Sequence, residues 1–164
     1  MPPAESRIET ELHVLDRASD DSNLIAEVEG DFLTSSRFER GEKCFAALHE
    51  GGIVSYIWGA RGIVGVEEIN MSVQPGPAEI YLYDAFTLAP WRGNNLYPAV
   101  LRSALEYAQG LDLSRAMIFV DSENTASRRG ITKAGFVHFQ TLKFSRYFGF
   151  PRSELPPPLE GHPS

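Results

Sequence analysis

The residues best suited to chemistry form one short run, Arg92-Gly93-Asn94-Asn95-Leu96-Tyr97. It is polar and separates an aromatic, strand-like segment (Glu79–Leu88) from one with helical periodicity (Tyr97–Gln109). A turn that ends a strand and opens a helix presents unpaired N–H donors and the positive end of the helix dipole, so it is an anion site. Two familiar phosphate-binding turns with this placement are ruled out by spacing. No Gly-Lys-Ser/Thr occurs anywhere, and Gly93 is the only local glycine, so neither GxxxxGK[ST] nor GxGxxG is present. Metal and thiol chemistry lack comparable support. His13, His49, His138 and His162 show no ligand spacing, so no metal is expected. The single cysteine, Cys44, lies inside a strand pattern and has no partner for an internal disulfide.

Several elements must position this turn. Glu79–Leu88 is rich in aromatic and β-preferring residues and reads as a strand. In the helix that follows, Val100, Leu101, Ala104, Leu105 and Ala108 share a face, and Pro98 fits the first turn, where its missing N–H costs nothing. Ala116–Val120 is a short unbroken apolar run, expected of a strand buried on both faces. Asp121–Asn124 caps a helix running to Ala134, Gly135 suits its left-handed end, and Phe136–Phe148 returns as strand. Upstream, Glu11–Leu15 reads as a strand and Leu24–Phe32 as a helix capped by Asp21-Ser22-Asn23. Lys43–Leu48 and Ile53–Trp58 form a hairpin around His49-Glu50-Gly51-Gly52. Gly62–Val73 is ambiguous, with Ile69, Met71 and Val73 alternating as in a strand, and Gln74-Pro75-Gly76-Pro77 is a turn. A strand–helix–strand unit of these lengths makes a parallel crossover, so the expected fold is α/β, a mixed sheet flanked by helices.

Composition bounds the class. The 164 residues suit one domain, placed at 1–149, and a tail at 150–164 with five prolines in fifteen residues, too proline-rich to build a core. No apolar run approaches the length of a membrane span, and the start lacks a basic then apolar leader, so no membrane is expected and the cytoplasm is the default. The net charge of −7 argues against nucleic acid. That deficit sits in residues 1–50, with 12 acids and 5 bases, whereas residues 86–152 hold 4 acids and 9 bases. A basic segment in an acidic protein suits a small anionic ligand, and ordinary solvated surface charge accounts for it equally well.

With Arg92, Asn95 and Tyr97 at the spacing Q/R-x-x-G-x-G/A, the sequence resembles the GNAT acyl-CoA N-acyltransferase superfamily. Three further segments agree. Thr87-Leu88-Ala89-Pro90-Trp91-Arg92-Gly93 is similar to the family's approach to that turn. Asn124 and Ser127, followed by Gly135-Phe136, are similar to its fourth helix, and Cys44–Ala47 with Ile53–Trp58 to its second and third strands. The resemblance covers about residues 10–148. Two departures stand in the turn: Asn95 replaces the first motif glycine, and Tyr97 the second small residue. Asparagine tolerates left-handed backbone, so Asn95 is expected to keep the turn's shape. The Tyr97 ring must point away for a diphosphate to approach.

The resemblance implies a splayed central sheet with acetyl-CoA (or another acyl-CoA) as co-substrate in the gap after Glu79–Leu88. It implies main-chain pairing of Phe86 and Leu88 with pantetheine, and an oxyanion donor near Leu88. The N–H groups from Arg92 through Gly93, Asn94, Asn95 and Leu96 to Tyr97 would hold diphosphate, with Asn124 and Ser127 toward the thioester. Asn124 is equally suited to a plain N-cap. The reaction implied is acyl transfer to a primary amine of a small-molecule acceptor, with Glu79 or Asp84 as general base. The tyrosine that protonates the leaving thiolate in many members is Ile131 here, which leaves Tyr83 or Tyr97 as substitutes. Long-chain transfer from acyl-CoA or acyl carrier protein is the alternative, or a non-catalytic acyl-CoA-binding domain. The aromatic Phe144–Phe150 stretch suits a homodimer contact.

Overall fold

The computed structural model describes residues 5–66, 71–121, 123–137, 143–147 and 150–154. Five strands build the main sheet: β1 (Glu11–Leu15), β2 (Lys43–His49), β3 (Gly52–Ala60), β6 (Glu79–Thr87) and β7 (Arg115–Ile118), in the order β1-β2-β3-β6-β7. The first three neighbouring pairs are antiparallel and β6–β7 is parallel, with α3 (Leu96–Gly110) making the crossover. A mixed sheet flanked by helices is the architecture expected from the order of elements. The tight β2–β3 turn needs left-handed backbone at two successive residues, supplied by Glu50 (φ +49°) and Gly51 (φ +81°).

Alternation along β2 and β3 sorts side chains onto two faces. Phe45, Ala47, Val54 and Ile57 join Ile80 and Leu82 against α3 and α4 (Thr125–Lys133), with Val100, Leu101, Ala104, Ile131 and Ala134 completing that layer. Cys44, Ala46, Leu48, Tyr56 and Trp58 face the other way, toward Ile25 and Phe38 of α1 (Ser22–Glu29) and α2 (Asp31–Glu39). Full burial of each large apolar side chain contributes about 1.5–3 kcal/mol, so neither layer is dispensable. Cys44 is wholly buried, and burial pushes its thiol well up, consistent with packing rather than chemistry.

Three segments differ from expectation. The single helix expected over Leu24–Phe32 is two, because Gly30 (φ +96°, ψ 150°) breaks the chain direction between α1 and α2. The strand expected over Ala116–Val120 is shorter and only half-buried. It ends at Ile118, leaving Phe119 and Val120 exposed, because the strands part there. Phe150–Glu154, expected in the tail, is a strand (β9) paired antiparallel with β8 (Lys143–Tyr147). In the ambiguous stretch, β4 (Val64–Val66) pairs with β5 (Met71–Val73), apart from the main sheet. Ile69, residues 138–142 and 148–149 of the expected last strand and homodimer stretch, and tail residues 155–164 lie outside the described residues. Among the described residues no helix is long and apolar enough to cross a membrane, and no cluster of three or more His, Cys, Asp or Glu suits a metal ion.

Candidate active site

The site begins where the sheet opens. β6 and β7 pair only from Glu79↔Arg115 to Leu82↔Ile118, yet β6 runs on to Thr87. On the side away from β3, residues 83–87 therefore carry a strand edge with no strand beside it among the described residues. Asp84 adopts φ +53° where the β3–β6 register slips between Tyr56 and Trp58, so it is the extra residue of a β-bulge. Beyond the bulge the ladder is regular. Leu88 N–H donates to Val54 O at 3.0 Å, and bonded pairs alternate along an antiparallel ladder. Phe86 and Leu88 thus turn their main-chain groups toward β3, while Thr87 turns its own to the open edge.

This corrects the expected cofactor contacts. The main chain of Leu88 is fully engaged inside the protein: its N–H goes to Val54 and its C=O accepts from Trp91 N–H at 2.9 Å. Leu88 therefore offers neither pairing nor an oxyanion donor, and Phe86 faces Tyr56. The physical reason is the one-residue bulge, which resets strand parity in a way that counting along β6 cannot show.

The Arg92–Tyr97 turn follows a 3-10 turn, Ala89–Trp91, at the end of β6. Gly93 (φ +83°) and Asn95 (φ +58°, ψ 25°) take left-handed backbone, and α3 starts at Leu96. Among the described residues no acceptor takes the N–H groups of Gly93, Asn94, Asn95, Leu96 or Tyr97, so they are open donors. The Arg92 guanidinium donates from Nε to Thr87 O at 3.1 Å and lies 5.7 Å from the Phe86 ring centre, bridging the turn and the open edge. Asn94 Nδ2 closes the turn onto Trp91 O at 2.8 Å.

Tyr97 points away from the turn. Its ring lies across Gly130 of α4, where an added Cβ would stand 2.5 Å from Cδ1. Its hydroxyl accepts from Ser127 Oγ at 3.2 Å, and burial pushes the phenol above its ordinary pKa. Asn124 is the N-cap of α4, its Oδ1 accepting Ser127 N–H at 3.0 Å. The Tyr97–Gly130 contact predicts that Gly130→Ala costs about 1–3 kcal/mol, an ordinary overpacking penalty. In a Tyr97→Ala background the same substitution should cost little, a coupling read by urea denaturation of the four-member cycle. Additive losses would contradict the contact.

On the α1–α2 face the bulge meets a buried charge network. Arg37 of α2, its side chain 8 % exposed, donates from Nη1 to Glu29 at 3.1 and 3.2 Å and from Nη2 to Asp84 Oδ2 at 2.5 Å. Its guanidinium sits 5.0 Å from the Trp58 ring centre and 5.1 Å from that of Tyr83. Burial opposes the Arg37 charge, but Asp84 and Glu29 outweigh it and the pKa is raised. Glu29, 5 % exposed, also accepts from Trp58 Nε1 at 3.0 Å and from the Tyr56 hydroxyl. Burial outweighs these partners and raises its pKa. Asp84 itself is 47 % exposed, so this network ends in one carboxylate at the open edge.

The other expected catalytic groups lie elsewhere. Glu79 stands at the closed end of β6, about 13 Å of strand before the open edge begins. Its Oε2 accepts Gly76 N–H at 2.8 Å, and Oε1 is 3.5 Å from Arg115 Nη1. The structure therefore does not bring it to the gap. Tyr83 donates its hydroxyl proton to Glu42, which also holds Arg40 Nε at 2.9 Å. Burial and then Glu42 raise the Tyr83 pKa strongly, so it is a poor proton donor to a leaving group. Ile131 is buried in the α3–α4 layer. Sequence reasoning missed Glu29 and Arg37. Glu29 and Arg37 lie 55 and 47 positions before Asp84 and share no periodicity with it, and the only signal was the excess of acids in the first fifty residues.

A model of the acetyltransferase (GNAT) domain matches residues 26–137. No curated protein gives a match. Among solved structures, the aminoglycoside acetyltransferase AAC(6')-Iy in complex with a bisubstrate analogue aligns with a TM-score of 0.63 at 12 % identity, over 85 % of this chain and 99 % of that one. An aminoglycoside acetyltransferase from an uncultured soil metagenomic sample gives 0.59 at 18 %, over 85 % and 99 %. Ribosomal-protein-alanine N-acetyltransferase from Brucella melitensis biovar Abortus 2308 gives 0.59 at 11 %, over 85 % and 100 %.

Proposed function

The chain belongs to the acetyltransferase (GNAT) family, and from that premise we propose that it moves an acetyl or short acyl group from acyl-CoA to a primary amine on a small molecule. The observation that carries this reading is the bare β6 edge running directly into a turn of five open amides. A linear amide chain ending in diphosphate fits that layout. A linear amide gives the outward Thr87 N–H the main-chain partner that a buried strand edge otherwise lacks, and the Gly93–Tyr97 amides with Arg92 take the diphosphate charge.

The acceptor enters from the α1–α2 face. There Glu29, Asp84 and Glu42 outnumber Arg37 and Arg40, so the local charge is negative and favours an ammonium. Exposed Phe119, 5.5 Å from the Tyr81 ring centre, and Val120 give the opening an apolar wall. Asp84 receives the ammonium and takes its proton, directly or through water. The freed amine attacks the thioester carbonyl, the C–S bond breaks, and the amide forms. A thiol of pKa about 8.5 leaves as thiolate without a strong acid, which fits Ile131 in the core and Tyr83 tied to Glu42. That small-molecule aminoglycoside enzymes share the fold supports the acceptor class.

Two measurements test the reading together. Acetyl-CoA at 100 times its dissociation constant should raise stability by about 2.7 kcal/mol in a melting assay. Transfer to a panel of small cationic amines should then release free CoA thiol. No melting shift and no transfer would overturn it.

A further inference from the structure

The N-terminal segment Glu5–Ile8 lies on the same turn, ahead of the first strand. Arg7 N–H donates to Asn94 O at 2.9 Å, and Arg7 Nη1 reaches Gly93 O at 3.4 Å. Asn95 Nδ2 donates to Glu5 O at 3.2 Å. We infer that this segment is a working part of the cofactor site: it fixes the orientation of the diphosphate-binding amides by holding the Gly93 and Asn94 carbonyls from behind. The inference rests on the acyl-CoA reading above.

The argument is one of peptide geometry. In a trans peptide the C=O and the following N–H point in opposite directions. With the carbonyls of Gly93 and Asn94 both drawn onto Arg7, the N–H groups of Asn94 and Asn95 are turned to the opposite side of the chain. Those are two of the five open donors. A left-handed turn without this tie has two peptide planes free to flip, and each flip would aim a carbonyl at the phosphate instead. Preorganised donors bind an anion more tightly because nothing has to reorient on arrival.

Charge adds to geometry. Arg92 stands on one flank of the turn, and Lys133 Nζ of α4 contacts Asn95 Oδ1 at 3.3 Å. Arg7 adds a third cation behind the turn, on its carbonyl side, where its charge reaches a diphosphate through space and not by contact. The segment's own anchorage does not depend on the Arg7 side chain. Ile8 packs on the α3 layer, and His49 joins Glu9 O at 2.7 Å while its ring lies 4.6 Å from that of Trp91. Substitution at Arg7 therefore removes its contacts without releasing the segment.

The test titrates acetyl-CoA into the full chain and into two variants, Arg7→Ala and Arg7→Pro. Arg7→Ala removes the guanidinium, and Arg7→Pro also removes the N–H that holds Asn94. Arg7→Ala should weaken acetyl-CoA about 3- to 10-fold, as expected when one orienting hydrogen bond is lost, and Arg7→Pro should weaken it further. S-acetyl-pantetheine, which lacks the diphosphate, reports on the rest of the site, and its KM should be unchanged in both variants. If both variants bind acetyl-CoA as the parent does, the inference fails while the acyl-CoA reading stands. If acetyl-pantetheine loses as much as acetyl-CoA, the segment merely supports the fold and the inference fails again. If the parent binds no acetyl-CoA, both fall. Should Arg7→Pro melt early, Arg7→Ala alone decides.

Discussion

Arg37→Met should lower the folding stability by about 3–5 kcal/mol, the loss expected when one partner of a buried ion pair is removed and the other stays behind. Glu29 is the group left behind, with Trp58 and Tyr56 as its remaining neighbours. The loss should also depend on pH in a specified direction. In the intact protein burial already raises the Glu29 pKa above the ordinary value of 4.5, and taking away Arg37 raises it further. A carboxyl group raised in the folded state contributes stability that is fully present below its unfolded pKa and is lost as pH rises through the folded value. The deficit of Arg37→Met should therefore be smallest near pH 4.5 and widen toward neutrality. Denaturant titrations at several pH values read this directly. Glu29→Gln in the same chain should recover part of the loss and flatten the pH dependence. A deficit that shrinks with rising pH would mean that Glu29 does not carry the uncompensated charge.

Asp84→Asn should reduce turnover about 10²–10⁴-fold, the range for a positioned acid–base group, with the acetyl-CoA dissociation constant unchanged. Asparagine is the informative substitution here. It keeps the size of the side chain and tolerates φ +53° better than other neutral residues, so the bulge and the open edge survive. What it removes is the negative charge that, on the proposed reading, faces the acceptor and accepts its proton. Steady-state kinetics with a saturating amine, beside calorimetric titration of acetyl-CoA, separates the two roles. Turnover within about threefold of the parent would assign proton removal to solvent and leave Asp84 as the Arg37 partner alone.

The sequence makes the strands and helices around the turn readable because their signals are local. Aromatic and β-branched residues mark Glu79–Thr87, helical spacing from Val100 to Ala108 marks α3, and the polar run between them marks the turn. The sequence also carries the left-handed tolerance of Asn95. Three features were not legible, each for a physical reason. The bulge at Asp84 depends on pairing with β3, so the side of the strand that Phe86, Thr87 and Leu88 offer could not be counted from β6 alone. The choice between Glu79 and Asp84 depends on where β7 stops, which its apolar run Ala116–Val120 conceals: Phe119 and Val120 are apolar yet exposed, beyond the end of the strand. The Arg37 network joins α1, α2, β3 and β6 through single contacts with no repeating pattern. Tyr97 is the converse case. A residue that breaks the motif is accommodated by a glycine thirty-three positions later, and only three-dimensional proximity links the two.

The bare edge of β6 carries a hazard of its own. Unsatisfied strand amides invite recruitment by any extended polypeptide, a second molecule included, and folded proteins commonly blunt such edges with irregular backbone and charge. Asp84 supplies both at once: its left-handed kink interrupts the run two residues after pairing with β7 ends, and its half-exposed carboxylate repels a neighbouring strand of like design. What remains in regular conformation, Phe86 and Thr87, is too short to seed a foreign ladder. The same residue that we assign to the acceptor is thus also placed to blunt edge-to-edge pairing while the cleft stands empty.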